Sequence, residues 1–181
     1  MNNKFEIALD RVFGKSASRV RCVSIGNKGD YVIVLHGMFA RAICMHRVAN
    51  ALDEAGYQVI NVSYPSRKFS IDVLAENFLH RLIKIYCIDK TKKIHFVTYS
   101  LGGIVLRRYL QQHGLLQIGR VVMIAPPNNG SAMADFFKNN PIFKYICGPA
   151  LQQVTSDPNS FVNSIPKQMP CEVAIISGTR S

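Results

Sequence analysis

The sequence lacks several features that would place it in common classes of protein. It has no tryptophan, no Cys-x-x-Cys pair and no apolar run near the roughly 18 residues of a membrane-spanning helix. Its five cysteines are odd in number and widely spaced, which argues against a zinc site or a redox dithiol. Residues 1–19 carry charges throughout and lack the apolar segment of a signal peptide. We therefore expect a cytoplasmic protein with no metal site and no transmembrane segment.

A block of basic residues is also missing, although the net charge is +11. The 22 lysines and arginines are scattered and form nothing longer than pairs. Because nucleic-acid-binding proteins concentrate basic charge on one stripe or carry a recognisable motif, we do not expect a nucleic-acid partner. A length of 181 residues with 48% hydrophobic residues predicts a single globular domain over residues 1–181.

Strand-like and helix-like segments alternate along the chain. Short apolar runs such as "YVIVL" (31–35) and "KIHFVT" (93–98) are typical of buried strands. Apolar residues at helical spacing predict helices near residues 42–55, 71–85 and 102–112, the second of them capped by Ser70. This alternation predicts an α/β fold, with a mostly parallel sheet covered by helices on both faces.

One long segment, residues 126–170, interrupts this alternation. It holds seven of the eight prolines and a group of aromatic residues: Phe136, Phe137, Phe143, Tyr145 and Phe161. Connections of this length inside an α/β domain are usually functional. We predict that it forms a lid or cap, the alternative being a loose surface excursion.

The stretch "KIHFVTYSLGG" ends a buried strand at Ser100 and starts a helix directly afterwards. Such a sharp corner strains the serine and pushes its hydroxyl out of the sheet, and small residues are needed where helix and strand cross. Gly102 and Gly103 meet that need. We predict that Ser100 is a nucleophile and that the amide of Leu101 stabilises an oxyanion. The alternative is that Ser100 merely caps the helix.

A second oxyanion donor is expected in the loop "LHGMFA" that follows the first strong strand. Gly37 allows a close turn, so the amide of Met38, or less favourably that of Phe39, is predicted to face Ser100. His36 is predicted to support this loop through hydrogen bonds. It is a weaker candidate for the catalytic base, because it precedes the serine and lies on the turn itself.

Together, His36-Gly37-Met38, the corner Thr98-Tyr99-Ser100-Leu101-Gly102-Gly103 and "PPNNGS" (126–131) resemble the α/β-hydrolase superfamily, in particular its small lipases and esterases. Thr98 replaces the usual first glycine of the corner, and Tyr99 replaces the usual histidine before the serine. The resemblance implies a serine hydrolase that cleaves carboxylic esters without a cofactor. With the aromatic segment, it implies a small-molecule ester with an acyl chain or lipid-like group.

The histidine and acid of such an enzyme are not evident. Of the remaining histidines, His46 is a minor candidate for the base because of its place in the chain, while His80, His95 and His113 lie at unsuitable positions. In α/β-hydrolases the chain order is serine, acid, histidine. We therefore expect a chain incomplete at its C-terminus, with both residues beyond Ser181. The alternative is a non-catalytic binding module of the same fold that lacks a complete triad.

Overall fold

The computed structural model describes residues 20–22 and 29–178, which form one six-stranded sheet. The strands lie in the order β1-β3-β2-β4-β5-β6. β1 runs antiparallel to β3, and every other neighbouring pair is parallel. The strands are β1 (Val20–Cys22), β2 (Tyr31–Leu35), β3 (Gln58–Val62), β4 (Ile94–Tyr99), β5 (Ile118–Ile124) and β6 (Val173–Ile176). The predicted mostly parallel sheet is confirmed, and β1 is the strand that the sequence patterns did not indicate.

The helices of the α/β alternation lie where hydrophobic spacing predicted them. A 3-10 turn at Ala42–Met45 leads into α1 (His46–Glu54). The helical segment α2 runs through three consecutive parts, Ile71–Val73, a π-helical stretch Leu74–Leu79, and His80–Tyr86. The helix that follows the serine corner is α3 (Leu101–His113).

The start of α2 shows how local sequence sets a boundary. Ser70 has an extended backbone, and its hydroxyl accepts a hydrogen bond from the Val73 amide at 3.4 Å. A serine in this position satisfies an amide that the first helical turn leaves unpaired. The predicted cap is therefore present.

Two apolar cores show that helices cover both faces of the sheet. On one face, the 3-10 turn contributes Met45 and α1 contributes Ala49 to a small cluster with Val32, Val34 and Val59. On the other face, α2 and α3 pack against β2 and β4 in a larger cluster that includes the fully buried Phe78 and Phe96. Strands covered on both sides read as continuous apolar runs, which is the pattern that the sequence displays.

Residues 126–170 contain four short helices and return to the sheet at β6. The helices are α4 (Ala132–Phe137), α5 (Pro141–Cys147), α6 (Pro149–Gln152) and α7 (Phe161–Ser164). Several of their apolar residues, among them Ala150, Leu151 and Val162, join the core cluster of α2 and α3. The segment is thus packed on the body of the protein, and its predicted role as a lid or cap stays a prediction.

Arg107 ties this segment to α3. Its side chain is only 2% exposed. Its guanidinium donates to the carbonyls of Pro166 (3.3 Å), Val162 (3.2 Å) and Ile165 (2.6 Å), and to the side-chain oxygen of Asn128 (3.0 Å). A buried cation is tolerated when all its donors are used, so this contact fixes both ends of the segment on one helix.

No helix within the described ranges, 20–22 and 29–178, is long and apolar enough to span a bilayer. The sequence contains no apolar run of that length either.

Replacing Arg107 with methionine should lower the free energy of unfolding by about 3 kcal/mol or more, because it leaves several buried carbonyls without donors. Urea denaturation measures the change. Arg120→Met is the matched control, since Arg120 forms an exposed ion pair with Glu172 at 2.8 Å and its loss should change the free energy of unfolding little. Equal losses in the two variants would show that Arg107 does not anchor the segment.

Candidate active site

Ser100 lies at the corner between β4 and α3 in a strained backbone conformation. Its φ of 50° and ψ of −119° are unusual for a residue with a side chain. The corner is held by a hydrogen bond from the Ser100 amide to the Ile124 carbonyl at 2.8 Å, which joins it to the end of β5. The strand-to-helix corner predicted from the sequence is therefore present.

Strain is concentrated at this edge of the sheet. Phe39, Ser100 and Ala125 have φ values of 60°, 50° and 46°, and they are the non-glycine residues with positive φ in the described part of the chain. They follow the carboxyl ends of β2, β4 and β5, which are neighbours in the sheet. Strained residues that cluster in this way mark functional sites more often than structural ones.

The Ser100 hydroxyl does not cap α3. Within residues 29–178 its side chain makes no capping hydrogen bond, although it occupies the N-cap position. This contrasts with Ser70, whose hydroxyl caps α2. The capping role considered as the alternative for Ser100 is therefore not realised in this conformation.

The neighbouring glycines permit a very close crossing of chain segments. A Cβ on Gly102 would lie 2.9 Å from the Leu35 carbonyl oxygen and 3.0 Å from that of His36. A Cβ on Gly37 would lie 3.0 Å from the Cβ of Ser100. Gly103 is less tightly enclosed, with its nearest neighbour, Thr98 Oγ1, at 3.3 Å. Gly37 and Gly102 thus bring the loop after β2 against the serine.

Two backbone amides fall beside this crossing. Leu101 is the first residue of α3, so its amide belongs to the free N-terminal turn. Met38 lies in the tight turn that follows Gly37, closed by a hydrogen bond from the Ala40 amide to the Gly37 carbonyl at 3.3 Å. Neither amide donates a hydrogen bond to another described residue. Their predicted role as oxyanion donors stays a prediction.

His36 is buried beneath this loop and uses both of its ring nitrogens. Nδ1 donates to the Gly37 carbonyl at 2.7 Å, and Nε2 accepts a hydrogen bond from the Tyr64 amide at 3.1 Å. Burial lowers the pKa of His36 to about 4, although the bond to Gly37 acts in the opposite direction. The ring is thus neutral at pH 7, and both of its nitrogens are used in hydrogen bonds that hold the loop.

Tyr64 is the supporting residue that the sequence patterns missed. Its hydroxyl donates to the His36 carbonyl at 2.6 Å, and its ring stacks on the imidazole with centroids 4.2 Å apart. Desolvation raises the pKa of the phenol, so it remains a donor. The available signal was its place just after the carboxyl end of β3, the strand beside β2.

All five histidines lie in the described residues, and none is hydrogen-bonded to Ser100. His46 Nδ1 donates to the Ile43 carbonyl at 2.7 Å, and His95 Nδ1 accepts from the Arg120 amide at 2.9 Å. His113 bonds to Glu76, and His80 stacks on His113. The structure therefore brings together the serine and the two loops, but it places no histidine on the serine.

Arg67 lies between the segment 126–170 and this site, and it contacts both. Gly148 has a φ of 71°, and a Cβ there would lie 1.6 Å from the Arg67 carbonyl oxygen. The Arg67 guanidinium lies over the Phe39 ring, 5.4 Å from its centroid. Phe39 adjoins Met38, so the segment contacts the predicted oxyanion loop through one intervening residue.

Comparison with known proteins identifies the fold. No protein-family model matches the sequence. No curated protein matches it either. Among solved structures, the mature lipase BlEst2 of Bacillus licheniformis superposes with a TM-score of 0.62 at 17% identity, over 87% of this chain and 70% of that chain. Phospholipase PlaB of Legionella pneumophila gives a TM-score of 0.67 at 18% identity, over 84% of this chain and 40% of that chain.

A carboxylesterase structure from Nitrososphaera gargenis covers 90% of this chain and 86% of its own, with a TM-score of 0.57 at 11% identity. These neighbours have the α/β-hydrolase fold, and this chain has it too, as its sequence motifs implied. The chain spans less than half of the phospholipase.

Because His36 is buried, we predict that the free energy of unfolding depends on pH. Because the folded ring binds its proton less tightly than the unfolded chain, unfolding takes up a proton between the ordinary pKa of 6.5 and about 4. The free energy of unfolding should therefore fall by up to about 3 kcal/mol as pH drops through that window.

Chemical denaturation at a series of pH values measures this slope. The contribution should disappear in His36→Gln, whereas His46→Gln, which changes an exposed ring, should keep the slope of the natural protein. An unchanged slope in His36→Gln would show that folding does not lower the pKa of His36.

Proposed function

We propose that this protein is a serine hydrolase that cleaves carboxylic esters through an acyl-enzyme on Ser100. The observation that carries the proposal is the strained, uncapped serine between β4 and α3, with the amides of Leu101 and Met38 free beside it. Mutation of an oxyanion donor typically costs about 2.7–4 kcal/mol in the transition state, so a pair of fixed amides is a substantial catalytic element.

In the proposed reaction, Ser100 Oγ attacks the ester carbonyl while a histidine takes the hydroxyl proton. The carbonyl oxygen becomes an oxyanion that accepts hydrogen bonds from Leu101 and Met38. Collapse of this intermediate breaks the bond to the alcohol, which leaves with the proton, and water then hydrolyses the acyl-enzyme. His36 is not proposed as this base, since its two ring nitrogens already hold the loop.

The proposed substrate class is a small-molecule ester with an acyl chain or lipid-like group. Two of the neighbours described above are called a lipase and a phospholipase, which accords with this class. The segment 126–170, as a proposed cap, carries a group of exposed apolar side chains: Met133, Phe136, Ile142, Tyr145 and Ile146. These side chains offer apolar contacts for an acyl chain.

A fluorophosphonate probe should label the full-length protein at Ser100, because the probe phosphonylates only an activated serine. Ser100→Ala should lose labelling and ester hydrolysis down to the background of about 10³–10⁴ over water that binding and the oxyanion hole can leave. Ser164→Ala, which removes a surface hydroxyl, is the control and should behave as the natural protein.

Mass spectrometry of the labelled peptide identifies the site, and turnover of a chromogenic ester gives the rate. Full turnover in Ser100→Ala would refute the assignment. In a structure of the phosphonylated protein, a phosphoryl oxygen turned away from both amides would refute the oxyanion hole.

The second candidate function is a non-catalytic binding module of the same fold. The observation that favours it is that no histidine in the described residues is hydrogen-bonded to Ser100. Such a module would bind the ester or its acyl group without cleaving it. Absence of labelling in a full-length protein that binds the ester in equilibrium dialysis would favour this function over the hydrolase.

The cap proposal predicts that Gly148→Ala changes substrate choice. The added methyl group would collide with the Arg67 backbone, so the segment should shift and its acyl contacts should change. The ratio of kcat/KM for long-chain and short-chain esters should change several-fold. Gly114→Ala is the matched control, because Gly114 also has a positive φ, 60°, but no neighbour within 4 Å of a Cβ. Identical ratios in both variants would contradict the cap role.

A further inference from the structure

Away from Ser100, three metal-ligating side chains meet between α2 and α3. One ligand atom each from Glu76, His80 and His113 lies within 4.8 Å of the other two. The proposed hydrolase mechanism uses none of them. His113 follows Ser100 by the length of α3, a separation of about 20 Å at 1.5 Å per residue, so the cluster is separate from the candidate active site.

The backbone holds the three residues on a rigid framework. Glu76 and His80 lie four residues apart on α2, and His113 is the last residue of α3. Ala75 and Leu79, next to the two α2 residues, are fully buried. The π-helical stretch Leu74–Leu79 contains Glu76 and ends directly before His80, and π-helical turns inside helices are frequent at functional sites.

His80 has an unsatisfied ring nitrogen. Its Nδ1 is shielded from solvent and has no hydrogen-bond partner among the described residues. A neutral imidazole is the form that binds a metal ion, since its lone pair must be free.

A simple ion pair accounts for only part of this arrangement. His113 Nε2 lies 2.5 Å from Glu76 Oε2, and this bond alone would satisfy both groups. His80 would then only stack on His113, with ring centroids 4.1 Å apart, and its buried nitrogen would stay unpaired. A cation shared by the three residues would use the carboxylate and a nitrogen of each ring, after rotation of the partly exposed side chains.

We propose that Glu76, His80 and His113 form a binding site for a divalent transition-metal ion of the zinc type. Two imidazoles and one carboxylate are a common zinc ligand set, and the exposure of Glu76 leaves a fourth position for water. The ion would join the middle of α2 to the end of α3. Its role is to clamp these two helices, and it takes no part in the chemistry at Ser100.

The test is a Zn²⁺ titration of the full-length protein against a chromophoric chelator. The protein carries Cys44→Ser, because this exposed thiol lies two residues from His46 and is a competing ligand. We expect saturation at one Zn²⁺ per cluster. His80→Ala and His113→Ala should each weaken binding by more than the roughly 10–100-fold that loss of an outer-shell partner costs. His46→Ala is the matched control and should bind like the parent.

Two further readouts do not depend on activity. Co²⁺ in place of Zn²⁺ should give visible d–d bands without thiolate charge-transfer bands, as expected for nitrogen and oxygen ligands. The Tm should rise with Zn²⁺ concentration in the parent, by ligand linkage, and should not rise in His113→Ala. Glu76→Gln, a change at an exposed position, should fold normally and still weaken binding, which covers the case of an alanine variant that misfolds.

The proposal fails if Zn²⁺ binding is not saturable or is unchanged in both histidine variants. Charge-transfer bands from a thiolate would also overturn it, because they would place the ion on cysteine. In any of these outcomes, the three residues form only an ion pair with a stacked imidazole.

Discussion

The close crossing of the α3 N-terminus over the end of β2 is the constraint on which the candidate active site depends. Gly102 lies so near the backbone of Leu35 and His36 that an added Cβ would be 2.9–3.0 Å from their carbonyl oxygens. This contact places the first amide of α3 beside the loop that starts at Gly37. The strain at Ser100 is tolerated because the sheet and helix around it are held by extensive burial.

Support for the loop comes from a buried polar group rather than from packing alone. His36 and Tyr64 satisfy each other with two hydrogen bonds and a ring stack, while His36 also binds the Gly37 carbonyl. A fully satisfied buried network specifies one conformation, since any alternative leaves a polar group unpaired. The same network removes His36 from the candidates for a catalytic base, because neither ring nitrogen is free.

A second anchoring contact works in the same way at the return of the segment 126–170. Arg107 lies on α3, the helix that begins at the serine, and it binds carbonyls from both ends of the segment. α3 therefore joins three parts of the molecule: the serine at its start, the proposed cap at its middle, and the Glu76–His80–His113 cluster at its end. A movement of α3 would therefore shift the residues of all three parts.

Local patterns in the sequence were enough for the parallel strands, the helices α1, α2 and α3, and the serine corner, but not for β1 or the four short helices of the segment 126–170. Apolar runs and helical spacing predict β2, β4, α1, α2 and α3 because each pattern arises within a short stretch of chain. The corner at Ser100 is equally local, since strand, serine, glycines and helix are consecutive. The sequence patterns did not predict β1, because it is a strand of only three residues and its partner, β3, lies far along the chain.

Only the tertiary structure determined which distant residues meet. The pairing of Tyr64 with His36, of Arg107 with the carbonyls near residue 165, and of Glu76 and His80 with His113 joins positions 28 to 58 residues apart. Sequence reasoning set both His80 and His113 aside, because the spacing of residues along one helix does not show which residues of a neighbouring helix they meet. Side-chain chemistry is encoded locally, whereas proximity is decided by how the helices pack on the sheet, and that depends on the whole chain at once.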